Sequence, residues 1–309
     1  MDEKVIIGKG TKYPLDGILS LPENLSKKVP AVVLIHGSGP SDKDETIMTN
    51  KPFRDISEYL ASRGIAVLRY DKRTFVYAKQ ILKEADYSKI TVEQETIEDA
   101  ILAAAILKND ARIDANKVYI LGHSMGGMLA PRIDAEGGNF AGIIILAGSP
   151  RNLTDIMLSQ GEDLIGQLGK LLRIIAVKQT AGIKKKFAAI PDMTVEQAQR
   201  TKSLGKTYAW YFKEMNEHPT SGYLSIIKKP VLILQGEKDF QVSVEKDFNL
   251  YKQILADKPN VTFKLYTGLN HLFMKSVYGT VKKYKREYTI PSKVDTNVLS
   301  DIAQWILKD

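Results

Sequence analysis

Two hydrophobic rhythms alternate along this chain. Short, nearly unbroken apolar runs occur at Ala31-Val32-Val33-Leu34-Ile35, Ile65-Ala66-Val67-Leu68, Val118-Tyr119-Ile120-Leu121, residues 143 to 146 and Pro230-Val231-Leu232-Ile233-Leu234. Runs of that length and continuity predict strands buried on both faces. Val261-Thr262-Phe263-Lys264-Leu265-Tyr266 alternates in type and predicts a further strand, while Val5-Ile6-Ile7 and Gly17-Ile18-Leu19-Ser20 predict an opening pair. Between the runs lie stretches with helical spacing: about Phe53 to Arg63, stopped by Gly64; Glu93 to Lys108, with Ile97, Ile101, Ala104, Ala105 and Lys108 on one side; and Val298 to Leu307. Strand alternating with helix predicts an α/β architecture, a mostly parallel sheet covered on both faces.

One stretch breaks the alternation. Between Pro150 and Ile226 no run predicts a strand, and Asp155 to Ala176 and Thr194 to Glu217 mix apolar with charged residues at helical spacing. The expected organisation is a core from residues 1–150 and 226–309, with residues 151–225 inserted as a helical cap. Such a cap shapes a pocket over the strand ends and limits water. Tyr208, Trp210, Tyr211 and Phe212 are its candidate pocket-lining residues; aromatic residues on a helix also pack as core.

Gly122-His123-Ser124-Met125-Gly126 follows a predicted strand and opens a small-residue stretch. Gly-x-Ser-x-Gly at a strand-to-helix turn lifts one hydroxyl above the sheet edge, with glycines where neighbouring chain passes close. Ser124 is therefore the candidate nucleophile. A serine hydroxyl needs a base within hydrogen-bond reach, and the base needs an acid to fix its tautomer. Gln235-Gly236-Glu237-Lys238-Asp239 leaves one predicted strand, and Thr267-Gly268-Leu269-Asn270-His271 leaves another. The chain order Ser124, Asp239, His271 is that of the α/β-hydrolase arrangement. Glu237 competes with Asp239 for the acid's place; Asp239 is preferred because it lies further past the strand end, where Phe240-Gln241-Val242 would shield it. Of the other histidines, His218 lies in a polar loop, His36 suits bracing of the loop it opens, and His123 adjoins Ser124 at a turn where neighbours point apart.

His36-Gly37-Ser38-Gly39-Pro40, Arg69-Tyr70-Asp71-Lys72-Arg73, Gly122 to Gly127, Gln235 to Asp239 and Gly268 to His271, in that order, resemble the α/β-hydrolase serine esterases of the dienelactone-hydrolase-like and cinnamoyl-esterase-like branch. The resemblance covers nearly the whole chain. It implies the triad roles for Ser124, Asp239 and His271, and an oxyanion hole from the backbone N–H groups of Ser38 and Met125. Amides so placed oppose the charge that forms on an attacked ester, each worth about 3 to 4 kcal/mol, and Met125 also opens a helix whose positive end favours an anion. Gly37-Ser38-Gly39 lacks the Lys-Ser/Thr ending of a phosphate-cradling loop.

The expected activity is hydrolysis of small carboxylic esters through an acyl-enzyme; the resemblance implies aryl or hydroxycinnamoyl esters, with acetylated sugars as the near alternative. The alternatives are an acyl-CoA thioesterase or acyltransferase with the same triad, or a non-catalytic binding protein on the same scaffold. No metal or organic cofactor is expected, and the expected partner is a small-molecule ester.

Composition narrows the rest. The 309 residues contain no cysteine, which excludes disulfides, thiol nucleophiles and thiolate metal sites. The net charge is +8, and lysines cluster at Lys184-Lys185-Lys186 and Lys282-Lys283-Tyr284-Lys285-Arg286; without stacking aromatics or a recognition module these read as solvated surface, so no nucleic-acid partner is expected. No apolar run is long enough to span a membrane, and Met1-Asp2-Glu3-Lys4-Val5 lacks the pattern of a secretory signal, so the reading is a soluble, cytoplasmic protein, with a homo-oligomer left open.

Overall fold

The computed structural model describes residues 1–308. Among these residues there are ten strands: β1 (Asp2–Ile7), β2 (Leu15–Ser20), β3 (Val29–Ile35), β4 (Ala66–Tyr70), β5 (Ile113–His123), β6 (Ile143–Leu146), β7 (Lys202–Leu204), β8 (Thr207–Tyr208), β9 (Val231–Gly236) and β10 (Val261–Tyr266). The helices are α1 (Pro52–Ser62), α2 (Arg73–Ile81), α3 (Glu98–Asn109), α4 (Met125–Ile133), α5 (Leu153–Gly166), α6 (Lys170–Ala188), α7 (Val195–Arg200), α8 (Ala209–Glu217), α9 (Thr220–Ile226), α10 (Asn249–Ile254), α11 (Tyr284–Tyr288) and α12 (Thr296–Lys308). Eight strands form one sheet in the order β1-β2-β4-β3-β5-β6-β9-β10. It is parallel from β4 to β10, and β1 and β2 join its edge antiparallel.

The apolar runs become strands because only a two-faced sheet buries every residue in them. Ala31, Val33 and Ile35 of β3 face the cluster that holds Ala103 and Leu107 of α3 and Leu129 of α4, whereas Val32 and Leu34 face Phe53, Ile56 and Leu60 of α1 and Ile302 of α12. Side chains alternate across a strand, so a continuous run feeds both layers. Helix α1 starts with Pro52 in its first turn and gives way to Gly64 at φ +88°, where a side chain would be strained.

The expected helix from Glu93 is present, but a different face is buried. Ile97, Ala100, Ala103, Ala104 and Leu107 point inwards, while Ala105 is exposed and Lys108 reaches out to the carbonyls of Gly138 and Asn139. Glu93–Ile97 forms a wider π-helical turn that changes the phase of everything after it.

Residues 151–225 depart further from the expected pair of helices. The first divides at Gln167–Gly169 into α5 and α6. The second divides into α7 and α8, with the β7–β8 hairpin between them. Gly205, at φ +55°, supplies the left-handed backbone conformation of the turn between β7 and β8. Phe187, Ile190, Ala198, Ala209 and Phe212 form a small cluster of their own in this region.

Candidate active site

Strand β5 ends at His123 and α4 begins at Met125, so Ser124 alone makes the corner, with φ 53° and ψ −117°. A left-handed φ at a non-glycine residue is costly, and here the surrounding chain enforces it. The Ser124 amide donates to the Leu146 carbonyl at 2.8 Å, and its carbonyl accepts from Met128 N at 3.0 Å. The flanking glycines are sterically required. A Cβ at Gly122 would lie 2.1 Å from the Gly126 carbonyl oxygen, and one at Gly126 would lie 2.2 Å from the carbonyl oxygen of Ile35 in β3.

Asp239 and His271 meet beyond the ends of β9 and β10. His271 Nδ1 is 2.7 Å from Asp239 Oδ2, with both side chains buried. Asp239 is held at both oxygens: Oδ1 accepts from the amides of Gln241 and Val242 at 2.7 and 3.0 Å, and Oδ2 also accepts from Gln235 Nε2 at 2.8 Å. Gln241 and Val242 therefore do more than shield the acid, since their amides fix it. Glu237 is exposed and accepts instead from the Gly268 amide at 3.1 Å. The His271 ring packs against the His123 ring at 4.7 Å between centroids, which brings it beside the Ser124 corner. Among the described residues the Ser124 hydroxyl forms no hydrogen bond. Such contacts are often loose without substrate and tighten in the reacting complex.

Ser38 follows β3, and its amide and that of Met125 have no hydrogen-bond partner among the described residues. Behind Ser38 the structure contains charged groups that sequence reasoning passed over. Glu45, itself at φ 51°, accepts from the Gly37 amide at 2.8 Å and lies 3.0 Å from His123 Nδ1. That pair is close but poorly directed, so it acts as an ion pair more than a hydrogen bond. Burial opposes charge on both groups. The attraction between them prevails, holding the Glu45 carboxyl below its ordinary pKa and the His123 imidazole above its own. His123 Nε2 lies 3.0 Å from the His271 carbonyl oxygen. Lys72, 2% exposed, donates to the Gly37 carbonyl at 3.0 Å and pairs with Glu95 at 2.8 Å. Its burial was hidden because lysine is rarely interior; its place within Asp71-Lys72-Arg73, directly after a buried strand, was the available signal. His36 braces the loop it opens through Nε2 and the Asp42 carbonyl at 3.0 Å, and burial lowers its pKa to about 4.

A cavity of about 990 Å³ opens in front of Ser124, Ser38 and Met125. Met128 of α4, Ile156 and Met157 of α5, and Leu204 of β7 form its apolar wall. Tyr208, Tyr211 and Phe212 also line it, though Tyr208 belongs to β8 and not to a helix. Tyr211 donates to Glu95 Oε2 at 2.7 Å. Trp210 does not line the cavity and packs against the small cluster of residues 151–225, because its neighbours Tyr211 and Phe212 take the inward direction. Among the described residues no group of three or more His, Asp or Glu side chains is arranged to hold a metal ion.

The family model of the serine aminopeptidases, S33, matches residues 27–276, which span the elbow and the whole approach to His271. The chain belongs to this family of α/β-hydrolases. It is 38% identical over 297 residues to Esterase EstD of Thermotoga maritima, an alignment that takes in 95% of this chain and 66% of that protein, so the chain spans about two thirds of its relative's length. Solved structures share the fold at lower identity. Est1E from Butyrivibrio proteoclasticus matches with a TM-score of 0.57 at 15% identity, over 99% of this chain and 98% of the other. A proline iminopeptidase of Mycobacterium smegmatis matches with a TM-score of 0.61 at 14% identity, over the same shares. Among the described residues no helix is long and apolar enough to cross a membrane.

Proposed function

We propose that this protein is a serine-dependent carboxylic ester hydrolase with Ser124 as nucleophile, His271 as general base and Asp239 as its orienting acid. The observation that carries the reading is the buried His271–Asp239 contact of 2.7 Å beside a serine held at a strained corner in front of a large cavity. The 38% identity to Esterase EstD supports the same chemistry.

In this mechanism the Ser124 hydroxyl attacks the ester carbonyl while His271 Nε2 accepts its proton. With Nδ1 engaged by Asp239, Nε2 is the free nitrogen, and the carboxylate stabilises the imidazolium. The negative oxygen of the tetrahedral intermediate is received by the amides of Ser38 and Met125, the second at the positive end of α4. Collapse expels the alcohol, which takes the proton from His271. A water then gives its proton to the same nitrogen, attacks the acyl carbon and releases the acid and Ser124.

Residues 151–225 act here as the lid that closes the acyl or alcohol pocket. Ile156, Met157, Leu204 and Tyr208 give the cavity an apolar stretch that suits an acyl or aryl group, beside a charged stretch that includes Lys12, Arg73, Glu84 and Glu98. Replacing Ser124 with Ala is expected to lower turnover of p-nitrophenyl esters by more than about 10⁴-fold while leaving the melting temperature near wild type. Retained turnover in the folded variant would overturn the reading.

A further inference from the structure

The groups behind Ser38 have a role that the nucleophile, base and acid leave unused. Gly37 is clamped from both directions: Glu45 Oε1 accepts from its N–H at 2.8 Å, and Lys72 Nζ donates to its C=O at 3.0 Å. The Gly37 carbonyl and the Ser38 N–H belong to one peptide plane. Among the described residues no peptide bond is cis, so the two groups point in opposite directions. A cation fixed on the carbonyl oxygen therefore aims the Ser38 N–H away from the interior and towards the cavity that Ser38 lines. It also withdraws electrons from that amide, which makes the N–H a stronger donor.

Resting on the ester-hydrolase reading, we propose that Lys72 is a positioning residue for the reaction: its buried ammonium sets the orientation and donor strength of the Ser38 amide. The ammonium is itself held. Glu95 pairs with it at 2.8 Å, and Tyr211 of α8 donates to the other oxygen of Glu95 at 2.7 Å. On the opposite side Glu45 joins His123, whose Nε2 lies 3.0 Å from the carbonyl oxygen of His271. One line of polar contacts thus runs from the lid segment, through the oxyanion loop, to the backbone of the general base. Buried ionic groups are expensive unless paired, and here Lys72 has the Gly37 carbonyl and Glu95 as partners, while Glu45 has the Gly37 amide and an ion pair with His123.

The test uses Lys72→Met and, because that change alone strands Glu95, the double variant Lys72→Met/Glu95→Gln. Both are measured beside wild type for kcat, KM and the rate of phosphonylation of Ser124 by a p-nitrophenyl phosphonate, whose phosphoryl oxygen occupies the oxyanion position. The expected result, in whichever variant folds, is a kcat about 10- to 100-fold lower, a parallel fall in phosphonylation and a KM within about 3-fold of wild type. A folded variant with wild-type kcat overturns the role, as does one in which kcat and KM change only in step with a lowered melting temperature. Absence of turnover by wild type overturns the ester-hydrolase reading, and the positioning role with it.

Helix α6 presents a second surface, independent of the active site. Leu171, Leu172, Ile174, Ile175 and Val177 are 50 to 81% exposed, a concentration unusual for a protein surface. The same helix carries Lys170, Arg173, Lys178, Lys184, Lys185 and Lys186 and no acidic residue. We infer that this helix docks on an anionic lipid–water interface through its first turns: Leu171, Leu172, Ile174 and Ile175 enter the acyl boundary, the cations interleaved with them, Lys170, Arg173 and Lys178, extend along it to the headgroups, and two copies would repel each other through those cations. Sedimentation with phosphatidylcholine vesicles containing one fifth phosphatidylglycerol should carry the protein down. Pure phosphatidylcholine should bind it at least about 10-fold less, and Leu171→Ser/Ile174→Ser should abolish binding. Equal partition to both vesicles, no binding to either, or a dimer at micromolar concentration that the double variant dissolves would overturn the inference.

Discussion

The Ser124 corner and the α6 helix stand at opposite extremes of constraint. At the corner, backbone passes so close to positions 122 and 126 that neither glycine leaves room even for a methyl group. Along α6 the side chains of Leu171 and Ile174 face solvent, and a Cβ at Gly182 would meet nothing within 4 Å. The contrast separates two tasks. A nucleophile of the proposed kind needs a geometry that does not relax, whereas a surface helix that lines no part of the cavity carries no such demand.

This contrast is open to direct challenge. Gly126→Ala should produce the largest effect, a loss of about 3 kcal/mol or more or a failure to accumulate folded protein, because the new methyl collides with the backbone of β3. Urea unfolding measures it, and near-wild-type stability would show that the corner can relax. Next comes acid. Burial lowers the His36 pKa from 6.5 to about 4. The unfolded chain therefore binds a proton that the native state refuses, so stability falls as pH drops from about 6.5 to 4. The loss reaches about 3 kcal/mol for this group, since each tenfold drop in proton affinity is worth about 1.4 kcal/mol. Unfolding midpoints of wild type and His36→Gln between those pH values measure it; equal pH slopes would contradict the burial. The smallest effect is at α6, where Gly182→Ala should stabilise by about 0.5 to 1 kcal/mol, since the glycine lies inside an exposed helix. Destabilisation there would mean that α6 is packed more tightly than its exposure indicates.

The same contrast explains what could be read from sequence. Strands such as Val231 to Leu234 are readable because a run buried on both faces has no polar interruptions to confuse it. The turn at Ser124 is readable because its glycines answer a steric demand. Asp239 and His271 are readable as residues just past strand ends. In residues 151–225 the helical pattern runs on through Gly166 and Gly169, where the chain in fact stops and restarts. The start of α7 carries a usable signal, Thr194 with Gln197 three residues later, which form a reciprocal capping box. The β7–β8 hairpin is too short to impose a period, and only Gly205 marks its turn. Trp210 is misassigned to the pocket because hydrophobicity says that a side chain is buried without saying against what. Lys72 and Glu45 escape notice for the opposite reason: charged residues read as surface unless their partners, distant in sequence, are known.

The most direct test of the central claim is covalent. Incubation with a p-nitrophenyl phosphonate, followed by proteolysis and mass spectrometry, should find one adduct, on the peptide containing Ser124, and His271→Ala should slow its formation by about 10³-fold or more. Modification of a different serine, or labelling of Ser124 at an unchanged rate without His271, would contradict the account.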